Sequence, residues 1–197
     1  MADFWEKYLP ADSAPPNYLS TVPANQMPLY VATARSWTLA DYAEAGSTSA
    51  RISTVFTSIL VPLHPKDANV GFTNNDTIQS LWNPATYLAN YTAIAAAAQA
   101  AGIKLILTST PAIGYDSDAY AAQLDLANSY GPTLCATYGC TFIDTRPTVD
   151  LPRPTGPTGN LWDINPAFYF GDSLHMNVAA QQAISTLILN SLSTYQP

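Results

Sequence analysis

The stretch Pro84–Pro111, "PATYLANYTAIAAAAQAAGIKLILTSTP", decides the fold class. An Ala-rich run opens with a proline, which the first turn of a helix tolerates, and closes at Gly102, a natural C-terminal cap. The mostly apolar "IKLILTS" that follows suits a buried parallel strand. The same order recurs in Ala119–Thr145, "AYAAQLDLANSYGPTLCATYGCTFIDT", where a helical run ends at Gly139 and "CTFID" reads as the strand. Upstream, "PKDANVGF" (65–72) reads as another short strand, and "MNVAAQQAISTLILNSLSTY" (176–195) as a closing amphipathic helix. Helices alternating with short apolar strands predict an α/β protein. The expected architecture is one domain over residues 1–197, a three-layer α/β/α sandwich with a central, mostly parallel sheet. Functional residues then belong at the carboxyl ends of the strands.

Composition limits the function classes. The chain of 197 residues is 48% hydrophobic with 12 Tyr and 4 Trp, enough for a core. Only 11% is charged, so Ser, Thr, Asn, Gln and Tyr must cover much of the surface. That bias leans towards secreted, cell-surface or virion proteins, although "MADFWEKYLP" has no apolar run of signal-peptide length. The net charge of -7 and seven scattered Lys and Arg argue against a nucleic-acid partner. No stretch reads as a membrane span. Cys135 and Cys140 are too few for a zinc site, and two separate buried thiols is the reading preferred over a short local disulfide. The sequence calls for no metal or cofactor, and oligomeric state stays open.

One stretch poses a problem of identity. "GDSLH", Gly171–His175, spells a known nucleophile motif, yet only 24 residues follow Ser173. The same stretch holds Asp172 three residues before His175, a pairing that can set a carboxylate against an imidazole and stabilise the imidazolium; the other reading is an Asp that caps the following helix beside an incidental His. The other histidine, His64 in "VPLHPKD", reads as a loop residue.

"DSLHMNVAAQQAI" (172–184) resembles the C-terminal block of the SGNH, or GDSL-type, hydrolases. The three earlier blocks of that family have counterparts in order: "PADSAPP" (10–16), "DYAEAGSTSARI" (41–52) and "PKDANVGFTNNDT" (65–77). Ser13, Gly46 and Asn75 are separated by 33 and 29 residues, and the resemblance covers nearly the whole chain. It implies the flavodoxin-like SGNH fold and a serine esterase. Ser13 is then the nucleophile, His175 its base and Asp172 the orienting acid, while the spelling around Ser173 is accidental. The backbone N–H groups of Ser13 and Gly46 and the Asn75 amide would form the oxyanion hole. The expected partner is a small-molecule or carbohydrate acyl ester, with short acyl groups such as acetyl favoured.

The sequence departs from the family pattern in places. Ala11 stands for the Gly before Asp-Ser, Thr73 for the Gly of the third block, and Asp41 where Asn is frequent; Asn74 is a second candidate for the amide role. These departures motivate the alternative of an inactive SGNH-fold binding or structural module, such as part of a phage tail or cell-surface assembly. A lipase or thioesterase is the second alternative. "RPTVDLPRPTGPTGNLWDINPAFYF" (146–170) reads as a long loop beside the site. The Trp residues read as core or half-buried rather than as a sugar-binding surface, and the sequons at Asn75 and Asn90 as chance.

Overall fold

The computed structural model describes residues 31, 34, 46–112, 114, 118–152, 162–170 and 175–192. Among these, α1 (Ser49–Val55) runs through a π-helical turn into a 3-10 turn ending at Leu63, and β1 (Asp67–Gly71) follows. A helical turn, α2 (Asn75–Ile78), precedes α3 (Pro84–Ala101) and β2 (Lys104–Thr108). Next come α4 (Asp118–Tyr138), β3 (Thr141–Ile143) and the turn α5 (Arg146–Val149). The strands β4 (Asp150–Pro152) and β5 (Trp162–Ile164) pair antiparallel before α6 (Val178–Ser191).

The sheet is parallel, in the order β1-β2-β3, with Asp67 opposite Lys104 and Ile106 opposite Thr141. Its helix–strand units form for the local reasons expected. The Asn83 side chain accepts from Thr86 N at 3.0 Å and caps α3, Pro84 takes the first turn, and Gly102 closes the helix at φ +70°. The Leu105 and Leu107 side chains, 2% and 0% exposed, meet α3 and α4 on one face, while Ile106 meets α6 on the other. That alternation along β2 is what makes three layers.

Two details depart from local rules. Gly131–Pro132 lies inside α4 without ending it. A Cβ at Gly131 would sit 2.2 Å from the Phe142 ring, so the missing side chain is what lets β3 dock against the helix. The cysteines are not two separate thiols: Cys135 and Cys140 form a disulfide across the C-terminal turn of α4, with Cα atoms 4.3 Å apart. The expected long loop after Arg146 also contains structure, namely α5 and the β4–β5 pair. Among the described residues, no helix is long and apolar enough to cross a membrane.

Candidate active site

The carboxyl ends of the three parallel strands collect polar side chains, as such sheets favour. After β1, Phe72 N donates to Thr108 O at 2.8 Å, which carries the chain over β2 and turns it into Thr73–Asp76. All four of those residues are buried, and each of three finds a defined anchor. Thr73 Oγ1 donates to Ser47 O at 2.9 Å and accepts from Asn75 N at 3.1 Å. The Asn75 amide donates to the same Ser47 carbonyl at 3.1 Å. Asp76 accepts from Ser49 N and Ser49 Oγ, both at 2.7 Å.

The second and third sequence blocks therefore meet. Gly46 stands at φ +66°, the left-handed region that favours glycine, and its carbonyl accepts from Gln79 Nε2 at 2.8 Å. A Cβ there would meet only Gln79 Nε2 at 3.7 Å, so backbone conformation rather than crowding calls for glycine. Ser49 opens α1, and the Asp76 carboxylate sits where the first-turn N–H groups want an acceptor. Asn90 Nδ2 extends the chain by donating to Ser49 Oγ at 2.9 Å.

Two phenols brace this loop from below. Tyr91 OH accepts from Thr73 N at 3.0 Å and donates to Gly71 O at 2.9 Å, and Tyr87 OH donates to Thr73 O at 3.0 Å. Burial raises both phenol pKa values above the ordinary range, so each stays neutral. Thr73, a departure from the glycine of the family pattern, has a use here: its hydroxyl ties the two loops together. Sequence reasoning missed Ser49, Tyr87, Tyr91 and Asn90, because each acts through a backbone group or a partner distant in sequence.

His175 lies on a different support. It precedes α6, whose N-cap Asn177 accepts from Ala180 N at 3.1 Å. Tyr169 and Met176 form an antiparallel bridge, Phe170 N donates to His175 O at 2.8 Å, and Asn177 N donates to Phe168 O at 2.9 Å. The His175 backbone is thus paired to the segment Phe168–Phe170, and the side chain is half-buried. Ser13, Asp172 and Ser173 lie outside the described residues, as do Ala11, Asp41, Trp5 and Trp37. Asn75, 4% exposed, is an unsuitable glycan acceptor, and Asn90 is engaged with Ser49. His64 is exposed, as expected of a loop histidine.

At the end of β3, Arg146 pairs with Asp144 at 2.7 Å and Asp125 at 3.0 Å, and its guanidinium stands 5.7 Å from the half-buried Trp162 ring. Burial works to raise the Asp144 pKa, but the hydrogen bonds and charge of Arg146 outweigh it and hold the carboxyl below its ordinary range. Asp150 behaves oppositely. Burial pushes its pKa up to about 6, against the hydrogen bonds from Tyr169 and Ala112 and the charge of Arg146.

No group of three or more His, Cys, Asp or Glu that could hold a metal occurs among the described residues. At the level of sequence, no family model and no curated protein matches the chain. Solved structures do. The chain is similar to a catalytic mutant of an acetylxylan esterase from Geobacillus stearothermophilus, at 13% identity and TM-score 0.71, covering 93% of this chain and 88% of that one. It is also similar to a GDSL-like lipase from Bacteroides thetaiotaomicron, at 18% identity and TM-score 0.63 over 88% of this chain and 82% of that one. An esterase from Pseudoalteromonas sp. superposes at 15% identity and TM-score 0.64 over 89% and 90%. With a parallel sheet flanked by helices and neighbours of this kind, the chain has the fold of the SGNH, or GDSL-type, hydrolases.

Proposed function

We propose that the chain is a serine esterase that hydrolyses short acyl esters, with an acetylated carbohydrate as the substrate to test first. The observation that carries this reading is the meeting of Gly46 and Asn75 at the carboxyl end of β1, through the shared Ser47 carbonyl. That contact joins two blocks 29 residues apart in sequence, and in this reading they contribute the Gly46 N–H and the Asn75 amide to the stabilisation of a tetrahedral oxyanion. The bond from Asn75 Nδ2 to Ser47 O holds the amide plane before any substrate arrives.

In this reading His175 takes the proton from Ser13 Oγ as that oxygen attacks the ester carbonyl. The oxyanion is held by the N–H groups of Ser13 and Gly46 and by Asn75 Nδ2. Collapse expels the alcohol, which leaves with the proton from His175, and the acyl group remains on Ser13. Water then repeats the sequence, giving up a proton to His175, and releases the acid. Asp172 orients His175 and stabilises its charged form. No metal or cofactor takes part in these steps. The acetylxylan esterase and lipase among the structural neighbours support esters as the substrate class.

Hydrolysis of p-nitrophenyl acetate by wild type beside Ser13→Ala, His175→Ala and Ser173→Ala tests the reading. The first two variants are expected to lose roughly a thousandfold or more in kcat, and Ser173→Ala to stay within about threefold of wild type. A wild type no faster than Ser13→Ala on this ester and on acetylated xylan leaves the binding or structural module as the function.

A further inference from the structure

The segment that carries His175 packs on the sheet and is also tied by hydrogen bonds at a buried point. Asp150 Oδ2 accepts from Ala112 N at 3.0 Å, Asp150 Oδ1 lies 2.6 Å from Tyr169 OH, and Tyr169 OH lies 3.0 Å from Ala112 O. These contacts close a ring through one residue of the β2 loop, one of β4 and one of the segment paired to His175. Asp150 and Tyr169 are 5% and 6% exposed.

The proton count of this ring is informative. A phenol has one proton, yet its oxygen lies within hydrogen-bond distance of two acceptors, the Asp150 carboxyl and the Ala112 carbonyl. With Asp150 ionised, one proton must serve both contacts and a charge is buried. With Asp150 protonated, its O–H donates to Tyr169, Tyr169 donates to Ala112 O, and Ala112 N–H donates to Asp150, so each contact has a proton.

We propose that Asp150 and Tyr169 are positioning residues for His175, joined with the Ala112 backbone in a hydrogen-bond ring that is complete only while Asp150 carries its proton. That the positioned group is a catalytic base rests on the esterase reading; the ring itself does not.

The surroundings agree with a protonated Asp150. Among the described residues, the ionisable groups that act on it are Tyr169, Arg146 and Asp144, and Asp163 lies one register step along on β5. Arg146 would favour the ionised form, but its guanidinium is already held by two carboxylates, Asp144 and Asp125. Burial dominates and puts the Asp150 pKa at about 6, above the usual value near 3.9. A raised pKa stabilises the fold below the unfolded value, and that contribution is lost as pH rises through the folded value. The window is therefore about pH 4 to 6.

Asp150→Asn provides the test, because its amide donates to Tyr169 and its carbonyl accepts from Ala112 without titrating. Urea unfolding is measured for wild type and Asp150→Asn at pH 4 and pH 7. The unfolding constant of wild type relative to Asp150→Asn is expected to rise about fiftyfold between them, since the unfolded carboxyl is already about half ionised at pH 4. A ratio that does not change, or an Asp150→Asn chain that does not fold, overturns the proposal. The positioning role is read from the ring protons of the two histidines by NMR. Tyr169→Phe is expected to shift the His175 signals and spare those of His64, with kcat down about tenfold at unchanged KM. Unmoved His175 signals overturn the positioning role. Shifted signals with the stability result as expected, in a protein that hydrolyses no ester, support the ring and sink only the esterase reading.

Discussion

The two sides of the candidate site are held by different chemistry. The loops bearing Gly46 and Asn75 are fastened largely by neutral donors and backbone carbonyls: Thr73 and Asn75 on Ser47 O, and Tyr87 and Tyr91 on the Thr73 and Gly71 backbone. The segment bearing His175 is fastened through a carboxyl that titrates in a mildly acidic range. The contrast lies in the ties themselves: on the first side, phenols and amides that do not titrate sit beside the Asp76 carboxylate held by Ser49, and on the second a buried carboxyl with a raised pKa does the fastening. Buried phenols whose pKa is raised stay neutral throughout, whereas a buried carboxyl with a pKa of about 6 changes state.

The contrast can be broken at its strongest link first. Asp76→Ala leaves Ser49 N and Oγ without their acceptor, and a loss of about 3 kcal/mol in urea unfolding is expected from a charge-assisted pair of bonds. Next, Tyr91→Phe orphans Thr73 N and Gly71 O, which should cost about 2 kcal/mol. That loss should be the same at pH 5 and pH 7.5; a loss that varies with pH would mean that the Tyr91 contacts are coupled to a titrating neighbour such as Asp76. The smallest effect belongs to Thr73→Ser, which keeps the hydroxyl on Ser47 O and should stay within about 1 kcal/mol of wild type. A larger loss would mean that Thr73 matters through its methyl group rather than through the tie between the loops.

Much of the sheet was legible because its signals are local. Asn83, Pro84 and Gly102 announce the ends of α3 within a few residues of where they act, and the apolar run after Gly102 is buried as such runs are when both faces are covered. The pair β4–β5 was not legible, since strands of three residues carry no periodicity and Pro and Gly around them signal a loop. Gly131–Pro132 lies within the run read as helical, but the Phe142 ring that needs the space glycine leaves is a tertiary contact that the sequence does not announce. In the site, the motif positions Gly46 and Asn75 were readable, but the Ser47 carbonyl that joins them is a backbone atom that no residue type announces. The ring around Asp150 spans 38 residues to Ala112 and 19 to Tyr169, beyond any spacing rule.

The elevated Asp150 pKa also makes hydrogen ions a ligand of the folded chain. Near pH 5 the unfolded carboxyl has given up its proton and the folded one has kept it, so folding takes up close to one proton from the medium. By mass action, acidification between about pH 6 and 4 favours the folded state through this one carboxyl, as a bound effector would, while a carboxyl held below its ordinary range, such as Asp144, works in the other direction.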